Sequence, residues 1–369
     1  MVKQILTING GSSNVKYALF TAEAKPQTIL ADKIEGVGAA EQVVQTILRR
    51  IDPRELAGVG HRIVHGGSKL SQPCRLTADV LAQLREVLPL DPDHLPGEIG
   101  LIEAMQKHLP TIPQVLCFDT AFHSAMPEVA KRLPIPRRFA DAGVRRYGFH
   151  GLSYTYLMRE LRRLDPAAAG GKVILAHLGG GCSLAAVKAG MPVDTTMSLT
   201  PTAGLVMATR SGDVDPGLMI YLLRHEKLSV DQLDDLVNHQ SGLLGVSQTS
   251  ADMQKLLALR TTDTRAAEAV ELFCYAARKQ IGAMAAALSG VRTLVFSGGI
   301  GENAAEVRGD ICRGLEFLGV RMDEAANAAG RAVISSAESA CVVRVIATDE
   351  EQVIADATHS LVSGESGLS

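Results

Sequence analysis

Twice in this chain a short apolar run breaks into glycines and resumes as a second apolar run. No other feature constrains the fold as much. Residues 4–9 lead into Gly10-Gly11-Ser12-Ser13-Asn14 and continue over residues 15–20, so that a hairpin spans residues 5–20. Residues 172–178 lead into Gly179-Gly180-Gly181 and return over residues 183–187. Apolar runs of this length bounded by glycine and serine read as paired strands with a tight turn. One supersecondary unit present twice predicts two related domains, each offering a phosphate-facing turn to a shared cleft.

The rest of the chain alternates strands with helices. A helix is expected over residues 41–50, then a strand over 58–64 entering the His65-Gly66-Gly67 turn. Residues 77–88 and 98–108 read as helices, and 114–118 as a buried strand ending at Asp119. Further on, a strand at 293–297 runs into a glycine turn at 298–301, followed by a helix at 303–315. A strand at 342–347 meets Thr348-Asp349, a good N-cap pair, before a helix at 350–361. Residues 134–136 and 167–171 read as local turns, and 364–369 as a frayed tail. Alternation of this kind places the chain in the α/β class.

Composition bounds the setting. A length of 369 residues suits two domains, and 46% hydrophobic with 21% charged residues describes packed cores rather than disorder. A net charge of -3 gives no electrostatic reason to expect nucleic acid or an anionic membrane as a partner. Cys74, Cys117, Cys182, Cys274, Cys312 and Cys341 include no C-x-x-C pair and no zinc-finger spacing, so they read as reduced, apolar thiols. Met1 leads straight into a strand without a charged-then-apolar leader, and no apolar run is long enough to span a bilayer. A soluble, cytoplasmic protein is the expectation.

Glycine turns after strands expose successive backbone N–H groups, which suits polyphosphate oxygens as well as ordinary chain reversal. There are three, at residues 10–13, 179–181 and 298–301, and none has the Walker A or dinucleotide-fingerprint spacing. Together they are better explained by a nucleotide cleft. Lys16, in the strand after the first turn, either faces a phosphate or is solvated. Arg62 lies inside an apolar strand and Arg210 follows the apolar segment 205–209, so each is either ion-paired or a clamp for carboxylate and phosphoryl oxygens. Asp119 ends a strand, where it caps a turn or carries polar function. His150 sits in a tight turn before Gly151, as a structural histidine or a donor. Glu350, in the first turn of the last helix, complements the helix dipole or holds magnesium beside phosphates.

These stretches together resemble the acetate kinase family, in the acetokinase branch of the actin/sugar-kinase/Hsp70-like superfamily. The likeness is carried by residues 9–16, by Gly60-His61-Arg62-Ile63-Val64-His65-Gly66-Gly67 and by Phe118-Asp119-Thr120-Ala121-Phe122-His123. It continues through residues 146–151, His177-Leu178-Gly179, 194–216, 297–303 and 348–351 in the family's order. The resemblance implies two duplicated ribonuclease-H-like (actin-like ATPase) domains with a nucleotide cleft between them. Residues 1–121 and 352–369 would form the N-terminal domain, and 122–351 the second, with most nucleotide contacts. It also implies a homodimer, ATP/ADP as co-substrate, Mg2+ (or Mn2+) as cofactor, acetate or another short-chain carboxylate as acceptor, and direct in-line phosphoryl transfer. On this likeness Asp119, His150 and Arg210 are catalytic, and Arg62, Val64 and Pro201 bind the acid. Lys16, His177, Leu178, Gly179, Gly180, Gly181, Asp252, Met253, Gln254, Gly299, Ile300, Gly301, Glu302 and Asn303 match nucleotide contacts. Asn9 and Glu350 match the metal site.

Four positions depart from the family pattern. Asp91 stands where a phosphate-facing histidine is usual, unless local realignment lets His94 serve. Gly180 replaces an asparagine, Gln254 an arginine and Tyr154 a histidine. An anionic Asp91 near the acid argues mildly against dicarboxylic substrates. Propionate or butyrate as acceptor, or a non-catalytic nucleotide-binding protein on the same fold, stay open at this level.

Overall fold

The computed structural model describes residues 3–11, 14–36 and 38–364. Met1, Ser12 and Ser13 of the first turn, and the tail beyond Gly364 lie outside the described residues. The chain divides into two compact units, one holding Met1–Ser124, Phe149–Tyr156 and Asp349–Ser369, the other Ala125–Gly148 and Leu157–Thr348.

In the first unit, β1 (Gln4–Gly10), β2 (Asn14–Thr21), β3 (Thr28–Glu35), β4 (Leu56–Ile63), β5 (Cys74–Arg75) and β6 (Gln114–Phe118) form one sheet. Its order is β3-β2-β1-β4-β6-β5. The β1–β2 hairpin is antiparallel with Asn9 opposite Lys16, and β4 runs parallel to both β1 and β6. Period-two alternation sorts the side chains. Leu6, Ile8, Tyr17 and Leu19 pack with Val44 and Ile47 of the helix Ala40–Leu48 and Leu101 and Met105 of the helix Leu95–His108. On the other face, Ile5, Ala18 and Phe20 meet Ala355, and Val115 and Cys117 meet Val353 and Ile354, all from the helix Glu350–Ser363. A Cβ at Gly60 would stand 2.2 Å from Thr358 Oγ1 and 2.5 Å from Ile354 Cγ2, so glycine lets that helix lie against β4.

The second unit has β7 (Lys172–Leu178), β8 (Cys182–Lys188), β9 (Met191–Thr195), β10 (Thr293–Ser297) and β11 (Val342–Val345), ordered β11-β10-β7-β8-β9. Here too an antiparallel three-strand meander is extended by two parallel strands. The pairing repeats that of β3-β2-β1-β4-β6, so the hairpin repeat of the sequence is a repeat of whole sheets. The fold is α/β, as expected. The helix Thr264–Ala287 packs on this sheet, burying Ala269, Val270, Phe273, Ala277 and Ile281.

One expectation is corrected. Residues 298–301 are not an open turn but the start of a helix, Gly298–Asn303, entered directly from β10. Gly298 makes the corner with φ of 76°, and Glu302 folds back to accept the Gly298 N–H at 2.9 Å. The helix expected over 303–315 therefore begins later and ends earlier, as Ala305–Cys312, after a break at Ala304. Among the described residues no helix is long and apolar enough to cross a membrane.

Candidate active site

Each unit carries a cluster of the residues singled out above. In the first unit, β4 delivers Arg62 on the face covered by the helix Glu350–Ser363. Its Nε and Nη2 both donate to Asp119 Oδ2, at 3.0 and 2.6 Å, and Nη1 donates to the Gly10 carbonyl at 2.9 Å. Burial opposes the charge of Arg62, but Asp119, Glu350 and Glu98 more than reverse that and keep the guanidinium ionised. Asp119 is 1% exposed, and its Oδ1 has no hydrogen-bond partner among the described residues. A buried carboxylate oxygen of this kind is what an arriving ligand group would meet.

His150 lies next to this pair. The Gly151 N–H donates to the Asp119 carbonyl at 2.9 Å, and a Cβ at Gly151 would stand 2.1 Å from that oxygen. His150 itself is held in the left-handed region, φ 58°, at the start of the helix Gly151–Leu164. Such a conformation costs a non-glycine residue about 1 kcal/mol or more and persists where surrounding contacts enforce it. Tyr154 is fully buried, edge-on to His123 at 5.6 Å, while His123 Nε2 lies 3.0 Å from the Phe149 carbonyl. Tyr154 is a packing residue of this aromatic cluster.

Asn9 and Glu350 are brought together. Asn9 Nδ2 donates to Glu350 Oε2 at 3.0 Å and to Glu351 Oε1 at 3.1 Å, so two neighbouring carboxylates share one amide. Two carboxylates beside an amide fit magnesium, which takes few protein ligands and keeps waters and phosphate oxygens. Glu351 was not singled out from the sequence, although its position next to Glu350 was the available signal. Lys16 is exposed on β2 and borders a hollow shared with Asp349 and Glu351.

The departure at Asp91 has a structural reading. Asp91 is buried, and its Oδ1 lies 2.8 Å from His94 Nδ1 and accepts the His94 backbone N–H at 3.3 Å. The two residues work as a pair at the start of the helix Leu95–His108. One turn later comes Glu98, a buried carboxyl missed by sequence reasoning although it interrupts that helix's apolar face. It accepts the Val64 N–H at 3.0 and 3.3 Å. Burial pushes its pKa up to about 8; Arg62 and the Val64 N–H oppose that shift, while Asp91 and Asp119 add to it.

In the second unit, a cavity of about 730 Å³ is lined by Gly179 and Gly180, by Asp252, Met253 and Gln254, and by Gly299, Ile300 and Asn303. Three sequence stretches far apart in the chain thus form one wall, of a size suited to a nucleoside. Ala251, Leu257 and Ala304 complete it. The Gly179 N–H donates to the Gly181 carbonyl at 3.1 Å, closing the turn after His177 and Leu178. Asp252 caps the helix Met253–Leu259 through the Lys255 N–H. Asn303 Nδ2 donates to the Gly299 carbonyl at 2.9 Å. Glu302 turns inward, where Oε1 accepts the Gly298 and Thr348 N–H groups at 2.9 and 3.2 Å; Gly301 is buried. A Cβ at Gly180 would meet nothing within 4 Å, so the missing side chain there leaves room at the cavity. Arg210 Nη1 donates to the Pro201 carbonyl at 3.3 Å, on a loop fastened by the Ser241 N–H to Thr209 O at 2.9 Å and the Leu243 N–H to Met207 O at 2.8 Å.

With this geometry in place, the chain can be set beside known proteins. A model of the acetokinase family matches residues 32–356. The acetate kinase of Methylocella silvestris is 40% identical over 98% of this chain and 98% of its own. The crystal structure of Porphyromonas gingivalis acetate kinase superimposes with a TM-score of 0.89 at 36% identity, covering 97% of this chain and 99% of that one. A propionate kinase from Francisella tularensis superimposes with a TM-score of 0.88 at 34% identity, covering 97% of this chain and 100% of the other.

Proposed function

The chain belongs to the acetokinase family, and from that premise we propose that it transfers the γ-phosphoryl group of ATP directly to the carboxylate of acetate, giving acetyl phosphate and ADP. The observation that carries this reading is Arg62, a partly exposed guanidinium fixed by the buried Asp119 and the Gly10 carbonyl near the end of a strand. A carboxylate is already a competent nucleophile, so the reaction needs no strong base. It needs two anions brought together and the charge on the transferring group neutralised.

Roles follow from the chemistry of each group. Arg62 holds the acid's carboxylate, Val64 and Pro201 take part in binding the acid as the family likeness implies, and Asp119 fixes the fork of Arg62. One carboxylate oxygen attacks the γ-phosphorus as the bond to the β,γ-bridging oxygen breaks, and ADP leaves without a covalent enzyme intermediate. Arg210 and His150 donate to the equatorial oxygens, where charge spreads in the transition state. The cavity bounded by Gly179, Asp252 and Gly299 takes the adenosine, and Lys16 serves the phosphates. Asn9 and Glu350, with Glu351 beside them, would hold Mg2+, which when bound neutralises phosphate oxygens. Mn2+ would substitute on the same ligand chemistry. The cytoplasm, where ATP and magnesium are supplied, is the fitting compartment.

Acetate is preferred over longer acids in this reading, although a methylene changes binding by only about 1–3 kcal/mol. Incubation with magnesium-ATP, hydroxylamine and in turn acetate, propionate or butyrate tests it through the acyl hydroxamate formed. Greatest kcat/KM with acetate is expected. Greater kcat/KM with propionate or butyrate would reassign the acid, and no hydroxamate with any of them would remove the kinase reading.

A further inference from the structure

Within the first unit the surroundings of Arg62 hold more acid than the phosphoryl-transfer reading uses. Asp119 already neutralises the guanidinium through two hydrogen bonds. Glu98 adds a second carboxyl, 4% exposed, from the helix on the other side of the sheet. It is joined to the end of β4 by the Val64 N–H, two residues beyond Arg62. Gly10, whose carbonyl takes Arg62 Nη1, comes close as well, since a Cβ there would lie 3.9 Å from Glu98 Cγ.

We propose that Glu98 is a positioning residue that acts in its neutral, protonated form, and that its ionisation competes with the substrate carboxylate for Arg62. The inference rests on the carboxylate-phosphorylating reading above. With Glu98 neutral, the arrival of an acid beside the Arg62–Asp119 ion pair leaves one excess negative charge. With Glu98 also ionised there are two, in surroundings where water screens them poorly. A neutral carboxyl keeps its carbonyl oxygen for the Val64 N–H and so holds the strand end that presents Arg62, without adding charge.

The charged and titratable groups facing Glu98 all bear on this balance. Arg62 on β4 draws it toward ionisation, while Asp119 after β6 and Asp91 ahead of its own helix oppose that. Asp93 and His94 line the same small cavity, of about 110 Å³, as Glu98. Asp91 is engaged with His94, and Glu350 acts on the same arginine from the opposite side of the sheet. Burial is the largest cause of the raised pKa of about 8, which puts the change of state in the mildly alkaline range.

The test compares the pH dependence of KM for acetate and for ATP in the wild type and in Glu98→Gln, which keeps the acceptor but cannot ionise. In the wild type, KM for acetate should rise roughly tenfold between pH 7 and pH 9 while KM for ATP stays level. In Glu98→Gln the acetate profile should be flat over that range. A wild-type profile that is flat, or a rise of equal size in Glu98→Gln, overturns the proposal while leaving the kinase reading intact. Thermal unfolding without substrate gives a readout independent of turnover. A carboxyl with a raised folded-state pKa stabilises the fold below its unfolded value, and that stability is lost as pH rises toward the folded value. Relative to Glu98→Gln, the wild type should therefore lose stability from about pH 4.5 to about pH 8 and level off above. Parallel curves for the two proteins would mean that Glu98 is ionised throughout, against the proposal.

Discussion

Arg62 and Arg210 carry the same charge in different company. Arg62 is tied to a buried carboxylate, and Arg210 Nη1 donates to the Pro201 carbonyl and lies near the Met207 sulfur. In the mechanism proposed above, Arg210 answers charge that develops during transfer, an interaction made chiefly in the transition state. Arg210→Ala should lower kcat by about 100-fold or more while leaving the dissociation constant of ATP within about threefold, as read by steady-state kinetics and equilibrium binding. An unchanged kcat would remove Arg210 from the mechanism. At this scale the sequence was informative residue by residue and silent on pairing. Arg62 and Asp119 each stand out as charges at apolar strands, but only folding shows that one neutralises the other. The left-handed backbone of His150 and the Glu98 contact with Val64 leave no local signature, because both are imposed by neighbours distant in the chain.

Among the elements, the helix Gly298–Asn303 borders the cavity proposed for the nucleotide, and it is too short to stand alone. Arg308 holds its C-terminal end. Nη1 donates to the Gly301 and Glu302 carbonyls at 3.0 and 2.9 Å, while Nε and Nη2 bind Asn327 Oδ1 and O at 2.9 and 3.0 Å. Carbonyls at a helix end need such partners, and burial draws the pKa of this guanidinium down. Arg308→Met should raise KM for ATP about tenfold and leave KM for acetate within about twofold, with Arg308→Lys recovering part of the loss. Equal effects on both substrates would mean general loosening instead. Elements with a regular apolar pattern, such as β1, β2, β7, β10 and the helix Glu350–Ser363, are legible in the sequence. β3 is not, because as an edge strand it is largely exposed and alternates poorly. The glycines at 298–301 suggest a turn by composition, and only the Glu302 side chain closing on Gly298 makes them helical.

At the scale of the whole molecule, the glycine hairpins near residues 10 and 180 announced a duplication, and the matching strand orders of the two sheets extend it to entire units. A sequence cannot show which surfaces remain uncovered. The helix Pro216–Arg224 has no buried residue although it is mostly apolar, with Leu218, Ile220 and Tyr221 exposed, and Leu272 and Tyr275 are exposed on the helix Thr264–Ala287. We propose that a second copy of the chain covers these residues, in keeping with the homodimer implied by the family resemblance. Light scattering should give twice the 39.1 kDa chain mass, and Leu218→Glu with Tyr221→Glu should give one chain mass. A wild-type monomer at micromolar concentration would contradict this. The central claim, that this chain joins phosphate to a carboxylate, is tested most directly by the ratio of ADP to trapped acyl phosphate with magnesium-ATP, acetate and hydroxylamine. One acetyl hydroxamate per ADP, with no ADP formed when acetate is left out, is the result predicted; ADP without hydroxamate, or no turnover of ATP at all, would contradict it.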